Sequence, residues 1–177
     1  LEFRRVLFRS LENDWTVTQN NENSFTLDRV MLSYNGVDYG AEMTTMQAFN
    51  HLLKARYTGP IFIKYSFNAR EVPDDIKLVL EPDYAMTVLI NGNEVANTEG
   101  YRFDPDFKLY DILPFVKKGS NEIIIKKYFT QPENTYHILF DKDVKESLKN
   151  CINFTTEIEN AYLVGKFGVF NDTGFIR

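Results

Sequence analysis

The chain has 177 residues, a formal net charge of −5 and 44% hydrophobic residues, which is the composition of one globular domain with a sizeable core. The acidic charge argues against binding to a nucleic-acid backbone, which requires a basic surface. No apolar run reaches the roughly 20 residues of a membrane-spanning helix, so we expect no membrane partner. The single cysteine, Cys151, excludes an intrachain disulfide and a cysteine-based zinc site, and we expect it to be a small core residue.

The first ten residues, LEFRRVLFRS, resemble at every position the translation of a common sequencing-library adapter. We therefore interpret residues 1–10 as an artefact and not as a basic arm or the start of a signal peptide. Without this segment the chain has 17 basic and 24 acidic residues, and its net charge is −7. On this interpretation the reading frame is truncated upstream, and the start of the chain carries no information about compartment.

Strand-like patterns predominate at the beginning of the remaining sequence. Residues 15–19 alternate in side-chain character, and residues 25–32 alternate again with one blurred face, which predicts a strand that ends at the turn dipeptide Asn35-Gly36. The pattern changes in residues 42–55, where Met46, Phe49, Leu52 and Leu53 have the spacing of one helical stripe. We predict a short amphipathic helix there, closed by the break at Gly59-Pro60.

Alternation predicts strands over residues 61–67, 76–80, 86–90 and 123–129. Asn91-Gly92 lies between two apolar runs and predicts a type I′ hairpin that pairs Thr87–Ile90 with Glu94–Ala96. Residues 111–116 predict a helical turn with Asp111 as N-cap. Many short strands separated by turns indicate a sandwich or barrel, and we predict a mostly β protein, an antiparallel β-sandwich with one or two short helices.

Towards the C-terminus, residues 136–140 predict a short strand, and residues 141–150 predict a helical turn with Val144 and Leu148 on its inner side. Residues 155–170 predict one long or two short strands. Glu157 and Glu159 would then share one strand face, roughly 6.5–7 Å apart, which is a separation found in inverting glycosidases. A solvated strand face explains them better, because catalytic carboxylates usually come from different elements of the fold.

One segment combines aromatic and acidic residues and is our candidate carbohydrate-binding site. Aromatic faces stack on sugar rings, and carboxylates bind hydroxyl groups through charge-assisted hydrogen bonds. The same chemistry suits a hard cation, and the alternative is that these are edge-strand and core aromatics with turn aspartates. The candidate residues are Tyr101, Phe103, Asp104, Asp106 and Tyr110.

No other pattern in the sequence points to catalysis. His51 and His137 have no partner at metal-ligand spacing, so we expect no metal site, and no nucleophile elbow or phosphate-binding glycine loop is present. We therefore expect no cofactor and no catalytic residue. A small domain without a nucleophile–base pair is more often a binding or structural module.

Residues 57–127 resemble the galactose-binding-like jelly roll of glycoside hydrolases, of the family 2 sugar-binding type. The resemblance is carried by YTGPIFIKYSF, IKLVLEPDYAMTVLINGNEV and FKLYDILPFVKKGSNEIIIK. The flanking segments NSFTLD and EIENAYLVGKFGV are similar to parts of large rhamnosidase-type glycosidases. The resemblance implies a catalytic barrel on the same polypeptide, and it slightly favours a periplasmic or extracellular location.

These observations give two hypotheses for the function. In the first, residues 57–177 form a non-catalytic, carbohydrate-binding-like accessory module of a truncated glycoside hydrolase. Residues 11–56 would then be linker strands and a short helix after a missing upstream catalytic domain, with the strands contributing to the sandwich. In the second, the module is a structural spacer or interaction domain without a sugar site. A free-standing lectin-like binder is a third alternative. The expected partners are the catalytic domain of the same polypeptide and a saccharide.

Overall fold

The structure of the protein is a computed structural model that describes residues 22–83, 85–170 and 175–176. The adapter-like segment 1–10 and the predicted strand at residues 15–19 lie outside the described residues. The strands, in chain order, are β1 Asn23–Leu27, β2 Arg29–Ser33, β3 Met43–Thr44, β4 Gly59–Ala69, β5 Ile76–Leu80, β6 Thr87–Ile90, β7 Asn93–Val95, β8 Asn97–Tyr101, β9 Lys108–Asp111, β10 Gly119–Phe129, β11 Ala161–Gly165, β12 Val169–Phe170 and β13 Phe175–Ile176. The helices are α1 Thr45–Lys54, α2 Glu133–Phe140, α3 Glu146–Lys149 and a single 3₁₀ turn at Leu113–Phe115.

The strands form two sheets around one hydrophobic core, which confirms the predicted antiparallel β-sandwich. The first sheet has the order β1-β11-β5-β9-β8. The second has the order β12-β13-β4-β10-β6-β7, with β2 also paired to β4 and β3 paired to β2. Within the described ranges the pairing is antiparallel except between β13 and β4. The described residues contain three α-helices, where one or two were predicted.

The long strands β4 and β10 form the centre of the second sheet. They pair along their whole length, from Gly59 opposite Phe129 to Ala69 opposite Gly119. Every second residue of each strand is buried against the first sheet, as the alternation predicted. The inward set comprises Ile61, Ile63, Tyr65, Phe67, Ile123, Ile125 and Phe129, together with the polar residues Asn121 and Lys127.

The predicted strand at residues 25–32 is in fact two strands that belong to different sheets. β1 pairs with β11 in the first sheet, and β2 pairs with β4 in the second. The chain crosses between the layers at Asp28, whose carbonyl accepts a hydrogen bond from the backbone N–H of Thr45. Leu27 and Val30 both face the core although they are three residues apart. This change of phase explains the blurred face in the sequence pattern.

Helix α1 confirms the predicted amphipathic helix but not its full stripe. Thr44 and Gln47 form a capping box that fixes its first turn. Phe49 packs edge-on against Phe129, with ring centroids 6.1 Å apart, and is buried. Met46 is 64% exposed, so its assignment to the buried stripe was wrong. The buried face includes Thr45 and Ala48 in its place, because small side chains at these positions allow the helix to approach the sheet.

The Asn91-Gly92 hairpin forms as predicted. Asn91 has φ 48° and Gly92 has φ 84°, and Ile90 pairs directly with Asn93 across the two-residue turn. The Asn91 amide also donates to the carbonyl of Phe115 and to Oδ1 of Asn121. These bonds attach the turn to the segment that precedes β10.

The region between β10 and β11 differs most from the predictions. Residues 136–140 belong to helix α2, not to a strand. Pro132 occupies the N-cap position of this helix, and Thr135 and Tyr136 are its buried residues. Leu148 is 53% exposed, so its predicted inward position was wrong. Cys151 is exposed in the turn that follows α3 and is not a core residue.

The turn at residues 111–116 is a 3₁₀ turn with Ile112, not Asp111, in the N-cap position. The Asp111 carboxylate still accepts a hydrogen bond from the backbone N–H of Leu113, at 3.3 Å. In the described part of the chain, the helices are all too short or too polar to cross a bilayer.

Candidate functional site

The candidate aromatic and acidic segment forms the tip of the hairpin between β8 and β9. The backbone N–H of Arg102 donates to the carbonyl of Phe107, and that of Phe107 donates to the carbonyl of Asp104. The Asp104 carboxylate accepts from the backbone N–H of Asp106, at 2.9 Å. Phe103 lies between these bonds with φ 71°, a left-handed conformation that projects its ring from the tip. Hydrogen bonds therefore hold the tip, residues 102–107, in one conformation.

The structure brings four of the five candidate residues together and separates the fifth. Tyr101 is 57% exposed and Phe103 is 58% exposed, and the carboxylates of Asp104 and Asp106 face solvent beside them. Tyr110 is only 4% exposed because its strand position, opposite Leu78, faces the core. Tyr110 therefore cannot offer its ring to a ligand on this surface, and the core alternative holds for that residue.

Two aromatic residues that the sequence analysis missed complete the surface. Phe103, Phe107 and Tyr162 form a triangle of edge-to-face contacts with ring centroids 5.8–6.0 Å apart. The Arg102 guanidinium lies 5.7 Å from the centre of the Phe103 ring. Tyr162 is 55 or more residues away in the sequence and reaches the tip only because β11 and β9 both pair with β5. We name Phe103, Phe107 and Tyr162 the aromatic triangle.

A second group of carboxylates adjoins the tip. Partial burial, and then the negative charges of Glu159, Asp106, Asp104 and Asp83, raise the pKa of Glu81. Glu81 follows directly after β5, whose neighbour in the sheet is β9. The aromatic tip is therefore part of an acidic end of the sandwich.

A buried lysine anchors this acidic end from inside. Lys127 takes an inward position in β10, between Ile125 and Phe129, and its side chain is 7% exposed. Its Nζ atom donates to the Asp83 carboxylate and to the backbone carbonyl of Glu157. Its aliphatic stem therefore packs in the core while its charge reaches the rim. The alternation from Ile123 to Phe129 was the signal in the sequence that could have placed this lysine inside.

Glu157 and Glu159 do not lie on a strand as predicted. They belong to the irregular segment before β11, and the hydroxyl of Tyr65 donates to the backbone carbonyl of Glu159. A hydrogen bond to the Glu157 carboxyl, then partial burial and repulsion from Glu157, raise the pKa of Glu159 to about 7, against the opposing effect of Lys127. The two carboxyl groups can therefore share one proton near neutral pH.

This carboxyl pair borders a cavity of about 250 Å³ between α1 and the segment before β11. The other lining residues are Thr45, Met46, Phe49, Phe154, Ile158 and Asn160. The Thr45 hydroxyl donates to the Asn160 side-chain carbonyl at 2.6 Å, which closes one side. Among the residues that the structure describes, none of these further lining residues is titratable.

His51 and His137 lie on exposed helix positions, and His137 contacts the carboxylate of Asp141 one turn later. Among the described residues, no three side chains of the His, Cys, Asp and Glu types are grouped as a metal site would require.

The fold is similar to part of β-glucuronidase from Ruminococcus gnavus. The crystal structure of that enzyme matches with TM-score 0.52 and 14% sequence identity, covering 89% of this chain and 32% of that chain. Its apo structure matches with TM-score 0.53 and 15% identity, covering 89% and 33%. Its complex with D-glucuronic acid matches with TM-score 0.52 and 16% identity, covering 85% and 30%.

No protein-family model and no curated protein sequence matches the chain. The chain spans about a third of the length of the β-glucuronidase structures that it resembles. At this level of identity the likeness shows the fold alone. The fold is thus one that glycoside hydrolase chains contain as one part of a longer polypeptide.

Proposed function

We propose that the chain is a non-catalytic accessory module of a glycoside hydrolase that contacts saccharide through the tip of the β8–β9 hairpin. The fold similarity to about a third of a β-glucuronidase chain supports the relation to a larger enzyme. A galactose-binding-like jelly roll is the specific form of sandwich that we propose. A catalytic domain on the same polypeptide would then be its partner.

The observation that carries the sugar-binding part is the exposure of Phe103 beside two carboxylates on an ordered tip. A phenylalanine that is 58% exposed, in a left-handed backbone conformation, loses the benefit of burial unless a ligand or partner covers it. Its ring and that of Tyr101 can stack on the apolar face of a sugar. Asp104 and Asp106 can accept hydrogen bonds from sugar hydroxyl groups at the same time.

Saccharide-array binding tests this proposal. We expect the chain to bind at least one glycan, and Tyr101→Ala and Phe103→Ala each to weaken that binding about tenfold, as expected for loss of one stacking contact. Phe140→Ala is a matched control, because Phe140 is an aromatic residue that is 43% exposed on helix α2, away from the tip. If no glycan on the array binds, or if the two tip variants bind as well as the parent chain, the sugar-binding proposal fails.

The alternative is a structural spacer in the same type of enzyme, and the aromatic triangle favours it. The exposed ring of Phe103, with the half-buried rings of Phe107 and Tyr162 beside it, would be covered by another domain instead of a saccharide, because apolar surface of this kind is stabilised by burial. Failure of the array experiment with an intact fold would leave this alternative.

A further inference from the structure

The outer face of the second sheet contains a groove that the proposed function does not use. The groove has a volume of about 470 Å³ and lies across β4 and β10, on the side of the sheet away from the core. The side chains that face it include Lys64, Ser66, Lys117, Ser120 and Glu122. It lies on the opposite sheet from the aromatic triangle.

Side-chain hydrogen bonds brace the end of the groove where β10 begins, from the inner side of the sheet. Asn121 is 1% exposed, and its side chain donates to the carbonyls of Lys117 and Gly119 and accepts from the backbone N–H of Lys117. Asn91 joins the same network through its bond to Asn121 and through its side-chain carbonyl, which accepts from the backbone N–H of Glu122. The two amides are therefore fully used in structure, and they restrain the backbone at Lys117 and Glu122, two residues whose side chains line the groove.

The groove is cationic although the chain is acidic. Lys64 and Lys117 face it against one carboxylate, that of Glu122. The Lys64 ammonium lies 4.0 Å from the centre of the Tyr39 ring. This cation–π contact orients the ammonium group and leaves its positive charge intact. Among the ion pairs of the described residues, none includes Lys64 or Lys117. Six carboxyl groups instead lie together at the acidic end of the sandwich, namely those of Glu81, Asp83, Asp104, Asp106, Glu157 and Glu159.

An aromatic row continues the groove along β4. The outward positions of this strand run from Pro60 through Phe62 and Lys64 to Ser66, a distance of about 20 Å at the usual strand rise. Tyr128 is opposite Pro60 in the register, and Lys126 is opposite Phe62, with its ammonium 5.8 Å from that ring. The loop before α1 forms a wall here, since Gly36 lies against Phe62 so closely that a side chain at this glycine would meet the ring.

Two further tyrosines widen the end of this row. Tyr34 and Tyr57 contact each other with ring centroids 4.8 Å apart, and the Tyr57 hydroxyl donates to the carbonyl of Pro60. Burial raises the pKa of Tyr57, and the nearby hydroxyls of Tyr34 and Tyr128 raise it further. Tyr34 and Tyr128 are 44% and 59% exposed, so their rings are available to a ligand.

We infer that this face of the second sheet binds a linear anionic saccharide whose rings stack on the tyrosines and whose acidic groups reach Lys64 and Lys117. The row of rings, hydroxyls and ammonium groups along one straight strand fits a chain with apolar sugar faces and repeated carboxylate or sulfate groups. A single small anion would need only the lysines, and a neutral glycan would not need them. The inference concerns a separate surface from the β8–β9 tip and does not depend on it.

Calorimetric titration of the 177-residue chain with oligogalacturonate tests the inference, with a chondroitin sulfate oligosaccharide and neutral maltoheptaose as further ligands. We expect binding of one or both acidic ligands, which also shows whether carboxylate or sulfate is preferred. We expect Lys64→Gln and Lys117→Gln each to raise Kd about threefold, and the double variant about tenfold, because each lysine contributes one partly exposed ionic contact. Glu122→Gln removes the opposing charge and should lower Kd about threefold.

The controls separate this surface from the rest of the molecule. Lys142→Gln changes an exposed lysine elsewhere and should leave Kd unchanged. Tyr101→Ala and Phe103→Ala should also leave Kd unchanged, while Tyr128→Ala should raise it, so failure here is distinguishable from failure at the β8–β9 tip. Equal binding of maltoheptaose, no binding of either acidic ligand, or an unchanged Kd in the double variant would overturn the inference. Binding of a single-stranded dT oligonucleotide in place of the acidic saccharides would also overturn it.

Discussion

Lys127 offers the sharpest test of how the acidic end of the sandwich is held. In Lys127→Met the aliphatic stem keeps its packing between Ile125 and Phe129, but the ammonium that binds Asp83 and the Glu157 carbonyl is lost. The Asp83 carboxylate then stays at the rim without its partner. The substitution therefore removes the charge and leaves the core volume nearly unchanged.

The structure sets the size of the effect. Breaking a fully buried ion pair costs about 3–5 kcal/mol, because one charge remains uncompensated. Asp83 is 31% exposed, so water can solvate part of its charge, and we expect a loss of about 2–3 kcal/mol in the free energy of unfolding. In a double-mutant cycle with Asp83→Asn, the coupling between the two residues should be about 1–2 kcal/mol.

Urea unfolding monitored by far-UV circular dichroism measures these differences. Lys126→Met is the matched control, since Lys126 is the neighbouring residue on the same strand and is exposed. It should change the free energy of unfolding by less than about 0.5 kcal/mol. A loss in Lys127→Met no larger than in Lys126→Met, or a coupling to Asp83 near zero, would refute the assignment of Lys127 as the internal anchor.

Two further variants test other parts of the structure. A side chain at Gly165, which has φ 151°, would collide with the Asp75 carbonyl oxygen, so Gly165→Ala should lower the free energy of unfolding by about 2–3 kcal/mol. Gly92→Ala places its methyl group in open space and should cost about 1 kcal/mol; similar losses for the two variants in urea unfolding would contradict this contrast. The raised pKa of Glu159 means that the folded state holds this proton more tightly than the unfolded state, so its stabilising contribution is complete below about pH 4.5 and is lost as the pH rises through about 7. Glu159→Gln should remove this pH dependence, which we expect to be about 1 kcal/mol because Glu159 is partly exposed and solvent screens its interactions. If the free energy of unfolding of the parent chain varies with pH between pH 5 and pH 8 just as that of Glu159→Gln does, the coupling between Glu159 and Glu157 is absent.

Local patterns were sufficient to predict the central strands and the hairpin. The alternation in β4 placed its inward side chains correctly, because one face of that strand is buried in a single layer. β10 was predicted as a strand, but the inward position of Lys127 was not recognised. Asn91-Gly92 fixed a turn because few residue pairs tolerate positive φ at both positions. Helix α2 was mistaken for a strand because a five-residue run with Tyr136 and Ile138 has strand-like composition, and only its packing decides its conformation.

The candidate site was predictable only where its residues are neighbours in sequence. Tyr101, Phe103, Asp104 and Asp106 form one hairpin tip, so their proximity followed from the sequence. The contact of Phe103 with Tyr162 depends on the order of strands in the first sheet, which no local pattern specifies. Tyr110 has the same composition signal as Tyr101, but its position in the pleat places it in the core.

The central claim is that the β8–β9 tip contacts saccharide. Backbone amide chemical shifts, recorded by NMR during titration with a neutral glycan selected from the array, test it most directly. We expect the largest shifts at residues 101–107 and at Tyr162, and a Kd about tenfold higher for the Phe103→Ala variant. Saturable shifts that cluster elsewhere and leave these residues unperturbed would contradict it.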